Sequence, residues 1–273
     1  MRAAEFINLA FFLFLIALAW GRALILNRRA KVTAVGLGII GLVSSAQFLD
    51  RFFNPLTSSV IRDWLPAALF LVAYWTAGLF FTIPSEKLQN GLIQFDRKVL
   101  GWLWELRADT SFSPSIAACL ELAYLLCYPL LPCGVGVLYI ARMGRHADEF
   151  WTIVLISAYL CYAALPFAQA LPPRMLKTGE EPILPHTRIR RLNLWVLRRG
   201  SIQVNTFPSA HVATAFSVSL VLLQLVPWAG MVFLCISVGI AIGSVLGRYH
   251  YAADALMGAA LAIAVFLSAA VWL

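Results

Sequence analysis

From Gly200 to Gly247 the chain carries no lysine, arginine, aspartate or glutamate. So long an uncharged run is foreign to ordinary soluble folds, but a bilayer demands it, because a spanning helix needs ~20 apolar residues. Pro227-Trp228-Ala229-Gly230 divides the run into two such helices. Similar blocks recur along the sequence. The composition agrees: 61% hydrophobic and 12% charged, against roughly 45–50% and about 25% in soluble domains. The expected fold is all-α, a polytopic membrane helix bundle of about eight spans. They are placed near residues 5–22, 32–49, 64–83, 115–140, 149–171, 208–226, 229–247 and 252–273. No soluble domain fits between the blocks.

The first block could pass for a secretion signal, since Ala17-Leu18-Ala19 mimics a cleavage site. However, Arg22, Arg28, Arg29 and Lys31 follow it and only Arg2 precedes it, the reverse of a signal peptide. It is read as a span. Residues 84–114 mix Lys87, Asp96, Arg97, Lys98 and Glu105 with Trp102 and Trp104, the pattern of a helix lying in the headgroup layer. "GLGIIG", residues 36–41, has the GxGxxG spacing but sits inside a span with no strand before it, so dinucleotide binding is excluded. Gly239, Gly243 and Gly247 recur every four residues, a stripe that lets helices approach closely. The five cysteines form no CxxC and read as small buried hydrophobes. No metal site and no cofactor is expected.

Between Pro172 and Pro208 stand Arg174, Lys177, Arg188, Arg190, Arg191, Arg198 and Arg199 against Glu180 and Glu181, seven positive and two negative for a net +5. Such a segment either rests on anionic headgroups or funnels an anionic substrate. No nucleic-acid module accompanies the charge, so nucleic acid is not an expected partner. No protein partner is implied either.

Charged and titratable residues inside spans are costly and call for a reason. The candidates are Glu121, His211, Arg248, His250 and Asp254, with Arg174 where Pro172-Pro173 stop the fifth span. Glu121 is assigned to hydrogen bonding within the bundle. His250 and Asp254 are four apart, so on a helix they share a face, and a carboxylate beside an imidazole raises its basicity. His211 follows Pro208 and Ser209 at a helix start, where free amides and the helix dipole favour an anion. Alternating the spans puts Arg174, His211, Arg248 and His250 on one face of the membrane. Two histidines and two arginines without a Cys or carboxylate cluster point to metal-free phosphoryl transfer. One imidazole attacks phosphorus, the other protonates the leaving oxygen, and the guanidiniums neutralise the equatorial oxygens.

These residues resemble the motifs of the type 2 phosphatidic acid phosphatase superfamily, the lipid phosphate phosphatases. "FPSAH", residues 207–211, resembles the Pro-Ser-Gly-His motif with Ala210 in place of glycine. "RYHYAAD", residues 248–254, followed by "ALMG" resembles the motif that ends in His-x-x-x-Asp. The resemblance covers roughly residues 64–273 and implies a six-helix catalytic core, with residues 1–63 as two additional spans. It implies His250 as nucleophile, Asp254 as its orienting partner and His211 as general acid. Ser209, the Ala210 amide, Arg174 and Arg248 would bind phosphate. The third motif's arginine normally stands six before the histidine, where this chain has Ser244, and Arg248 on a continuing helix would substitute for it. Phe167 stands where the first motif has lysine. "ALPPRML" and, more loosely, "ELAYLLCYPLLP" are instead similar to the inositol phosphorylceramide synthase branch. The implied substrate is a lipid phosphate in the bilayer, with hydrolysis and headgroup transfer both open.

The motif side carries sixteen Lys or Arg against five on the other. The positive-inside rule would make that side cytoplasmic, whereas the resemblance implies an extracytoplasmic site. Eight of the sixteen lie in the active loops or at Arg248, where phosphate binding explains them. The expected location is a bacterial inner (plasma) membrane with the site on the extracytoplasmic face.

Overall fold

The computed structural model of the chain describes residues 1–22, 24–109, 112–176 and 184–270, the side chains of 104–109 and 270 excepted. Lys177, Glu180 and Glu181 lie outside the described residues, as do the side chains of Trp104 and Glu105. The described residues form α-helices and no strand. In chain order these are α1 (Ala3–Gly21), α2 (Leu26–Ser45), α3 (Pro55–Gly78), α4 (Glu86–Asp109), α5 (Pro114–Leu125) and α6 (Cys127–Ile140). After them come α7 (Ala147–Ala164), α8 (Arg188–Gly200), α9 (Ala210–Leu225), α10 (Pro227–Leu246) and α11 (Ala252–Ala270). The molecule is an all-α polytopic bundle.

All eight apolar blocks are helical, but the span count differs from expectation. Among the described residues five helices are long and apolar enough to cross a bilayer: α1, α2 with its extension to Arg51, α3, α10 and α11. A sixth arises if α5 and α6 are taken as one span broken by a 61° bend. α9, with 16 residues, is too short for that standard, and α7, with 18, is long enough but carries Asp148 and Glu149 in its first turn and is not apolar enough. The shortness of α9 follows from its position. α9 packs against α6, α7, α10 and α11, so neighbouring helices rather than lipid surround it and it need not match the bilayer by itself.

Proline sets two of the boundaries. Pro129 has no N–H for the Leu125 carbonyl, which removes one helical bond where α5 gives way to α6. α7 stops at Ala164, ahead of Pro166, rather than running to 171. The chain beyond it is extended enough for Ala170 to bridge Asn205. The expected helix start at Pro208 also shifts. α9 begins at Ala210 with Ser209 as its N-cap, so Pro208, joined by a cis bond to Phe207, precedes the helix.

Close approach explains two glycines. A Cβ on Gly243 would stand 2.4 Å from the Leu120 carbonyl, so α10 packs backbone to backbone on α5. A Cβ on Gly258 would stand 2.5 Å from the Ser209 carbonyl, so α11 lies directly on the start of α9. At the other end of the bundle, Arg62 holds Glu5 at 2.7 Å, Arg2 pairs with Asp63, and Tyr139 donates to Asp63 at 2.6 Å. That cluster ties α1, α3 and α6 on the face opposite the site.

Candidate active site

Three chain segments meet at one end of the bundle, and backbone bonds join them. The Arg174 amide donates to the Arg248 carbonyl, the Asn205 amide to Ala170 and the Ser209 amide to Asp254, each at 3.0 Å. Arg174, Ser209, Ala210, His211, Arg248, His250 and Asp254 are thereby brought to one end of the bundle, as the alternation of spans requires.

The turn that carries His250 is built differently from the expected continuing helix. α10 ends at Leu246, and Arg248 takes φ +61°. The Arg248 amide donates to the Val245 carbonyl at 2.9 Å and the Tyr249 amide to the Ser244 carbonyl at 2.8 Å. This pair of bonds is the Schellman cap, whose left-handed residue is usually glycine. Arg248 therefore does not project from a helical turn above Ser244. Its buried guanidinium reaches the Pro173 carbonyl at 3.5 Å, directly behind Arg174. Ser244, where the resemblance would place arginine, is a fully buried part of this cap.

His250 and Asp254 also meet in a way the helical spacing does not predict. His250 precedes α11, so the two do not share a helical face. They meet across the helix start, with Nδ1 3.4 Å from Asp254 Oδ2. The same Oδ2 accepts the Tyr251 amide at 2.9 Å, half of a capping box, in which a carboxylate three residues into a helix caps the preceding N–H. The Ala252 amide goes to Asp96 Oδ1 at 2.8 Å. With Nδ1 turned to Asp254, Nε2 is left for a substrate. Burial, followed by the nearby Arg174 guanidinium, pushes the imidazole down from its ordinary 6.5 to about 3, so the ring is neutral and has a lone pair to offer.

The His211 ring lies 5.5 Å from that of His250. It is surrounded by Tyr124 (5.9 Å), Tyr128 (6.1 Å) and Tyr74 (6.5 Å). Both histidines and Arg174 line one small pocket with Tyr74, Thr206 and Tyr249. Its volume is about 10 Å³, room for about one water. Arg174 is loosely held there, 3.5 Å from the Tyr249 carbonyl and 3.4 Å from Gln203 Oε1, both long for hydrogen bonds. Ser209 and Ala210 sit beside this pocket rather than in its lining. The Ser209 oxygen accepts the Val212 amide at 3.4 Å, and the Ala210 amide donates to Thr206 Oγ1 at 3.3 Å.

Glu121, expected to hydrogen-bond within the bundle, does so next to the site. Its carboxylate accepts from Arg190 (2.6 Å), Asn193 (2.7 Å) and the Tyr249 hydroxyl (2.6 Å). Arg190 also donates to the Gly247 carbonyl at 3.2 Å. Sequence reasoning did not find Tyr249, Arg190 or Asn193. The buried acid Glu121 signalled only that some cation must face it.

A second cavity, of about 270 Å³, adjoins the first and shares Tyr74, Ser201 and His211 with it. Its other walls include Phe70 and Trp75 of α3, Tyr128 of α6 and Thr214 of α9.

The family model described as the PAP2 superfamily matches residues 90–268. No curated protein and no solved structure matches the chain.

Proposed function

The chain belongs to the PAP2 superfamily, and on that premise we propose that it is an integral membrane, metal-independent lipid phosphate phosphatase working through a phosphohistidine. The observation that carries this reading is the pairing of two imidazoles, 5.5 Å apart, in one pocket with Arg174. A phosphoryl group between them touches both rings.

His250 Nε2 attacks phosphorus and the bond from phosphorus to the lipid oxygen breaks. His211, which takes up a proton when the phosphate anion is bound beside it, gives that proton to the leaving oxygen, releasing the lipid alcohol. Water then attacks the phosphorus–nitrogen bond, passes its proton to the now neutral His211, and leaves phosphate and free His250. Asp254 holds Nδ1 and stabilises the positive ring as it forms. Arg174 neutralises the equatorial oxygens. The pocket is smaller than phosphate, so binding moves Arg174 off its two long contacts and onto the anion. Ser209 and the Ala210 amide, at the start of α9, would join as further donors, and Arg248 would set the height of Arg174 through Pro173.

Transfer of a phospho-headgroup, in the manner of inositol phosphorylceramide synthases, shares the first half and replaces water with a second lipid alcohol. The Pro172-Pro173-Arg174 sequence, with Phe167 where hydrolases carry lysine, favours this second reading. We place the site on the extracytoplasmic face of a bacterial inner membrane. The C-terminus then lies in the cytoplasm, which a reporter fusion reads directly. Purified enzyme given a panel of lipid phosphates, with and without acceptor lipids, should release inorganic phosphate, be inhibited by vanadate and be unaffected by EDTA. Full turnover by His250→Ala, or loss of activity to EDTA, contradicts the proposal.

A further inference from the structure

The 270 Å³ cavity runs from His211 towards the lipid-facing side of the bundle. Leu71 and Trp75 of α3 and Tyr128 of α6 line it and are also 46%, 49% and 39% exposed, so its wall is open to the surrounding hydrocarbon. Two causes form it. The break before Cys127 tilts α6 by 61° from α5, and α3, which lies outside the matched residues 90–268, closes the far side. The mouth next to the phosphate pocket is fixed by Tyr74, whose hydroxyl bonds Ser201 Oγ at 3.2 Å and accepts the Ile202 amide at 3.1 Å.

Two buried polar atoms in this lining have no hydrogen-bond partner: Nδ1 of His211, already placed in the site, and Oγ1 of Thr214. Thr214 is 4% exposed and lines the cavity, yet its Oγ1 has no hydrogen-bond partner. A helical threonine ordinarily bonds the carbonyl one turn back, as Ser219 and Ser237 do nearby at 2.8 and 2.9 Å. An unmade buried donor is costly, and a ligand acceptor that meets it recovers that cost. Thr214 lies three residues after His211, about 4.5 Å further along the helix axis.

Resting on the phosphatase reading above, we propose that this cavity binds the chain-bearing alcohol of the substrate. The Thr214 hydroxyl donates to an ester, amide or hydroxyl oxygen one helical turn from the phosphoester. The favoured substrates are therefore acyl-bearing or hydroxyl-bearing lipid phosphates rather than phosphates of a bare polyprenyl chain. α3 supplies the wall that selects the chain.

The test compares two substrates of matched length in mixed micelles, a diacylglycerol phosphate and a polyprenyl phosphate. Wild-type enzyme should favour the former. The isosteric Thr214→Val should lower the ratio of the two kcat/KM values about 5-fold, the worth of one buried hydrogen bond. An unchanged ratio overturns the Thr214 assignment. A lipid phosphate with a diazirine in its chain tests the cavity without turnover. Photolabel should fall on Phe70, Leu71, Tyr74, Trp75 and Tyr128 and be competed by unlabelled lipid. Label confined to helix faces away from α3 overturns the proposal. Label in the cavity with no phosphate release from any lipid would leave the binding inference standing and remove the phosphatase reading.

Discussion

Tyr249 stacks on Tyr124 with ring centres 4.1 Å apart and planes 7° from parallel, and Tyr124 in turn stacks on His211 at 5.9 Å. The residue before the proposed nucleophile is thus joined to the proposed acid through one aromatic ring. Glu121 fixes the far end of the stack through the Tyr249 hydroxyl, and the Arg190 guanidinium lies 5.7 Å from the Tyr249 ring centre. The spacing of the two histidines is therefore held by residues that need not touch phosphate.

Tyr249→Phe removes the hydroxyl and keeps the stack. It should lower kcat about 10-fold with little change in KM, because the ring that positions His250 loses its anchor and the phosphate ligands stay in place. Glu121→Ala leaves Arg190 buried without its partner and should cost about 3–5 kcal/mol of stability. Melting curves in detergent and steady-state kinetics separate the two effects. A Tyr249→Phe enzyme with wild-type kcat would show that the stack does not matter to turnover.

Arg248 pays for its left-handed backbone. Glycine at this position should be more stable than alanine by about 1 kcal/mol, since only the latter keeps the steric conflict. Both variants lose the contact to Pro173, so both should lose turnover to a similar degree. Activity that follows the stability difference instead would assign Arg248 a purely structural part.

Much of this arrangement is legible in the residue pattern. The uncharged blocks mark the helices, because a bilayer sets both their length and their lack of charge. The motif residues announce themselves as polar groups in apolar surroundings. What the pattern lacks is the geometry between distant segments. Arg190 and Glu121 are 69 residues apart, so nothing local links the basic stretch to the buried acid. The helical periodicity that puts Arg248 above Ser244 fails because α10 ends two residues too soon. The length of α9 was not legible, because a helix enclosed by other helices is released from the bilayer's length rule.

His250 should leave a mark on stability. A ring held at about 3 when folded and near 6.5 when unfolded binds more protons in the unfolded chain between those values. Stability then rises with pH across that window and is lost as pH falls from 6.5 toward 3. His250→Asn removes this contribution, so its melting temperature should fall less steeply than that of wild type between pH 6.5 and 4. Equal slopes would mean that the ring is not buried as a neutral group.

Arg174 and His211 act at different steps. Arg174→Ala should lower kcat/KM about 100-fold or more for every phosphate ester, as loss of a transition-state donor does. His211→Ala should cost about 100- to 10,000-fold with a lipid alkoxide leaving group, and far less with an aryl phosphate, whose leaving oxygen needs no proton. Equal losses on both substrates would remove His211 from the role of acid.

The most direct measurement is a rapid quench of wild-type enzyme with a lipid phosphate labelled in its phosphoryl group, followed by alkaline digestion and mass spectrometry. The label should appear within one turnover on the imidazole of His250, and His250→Ala should carry none. Phosphate release from the wild type with no labelled histidine, or with the label on another residue, would contradict attack by His250.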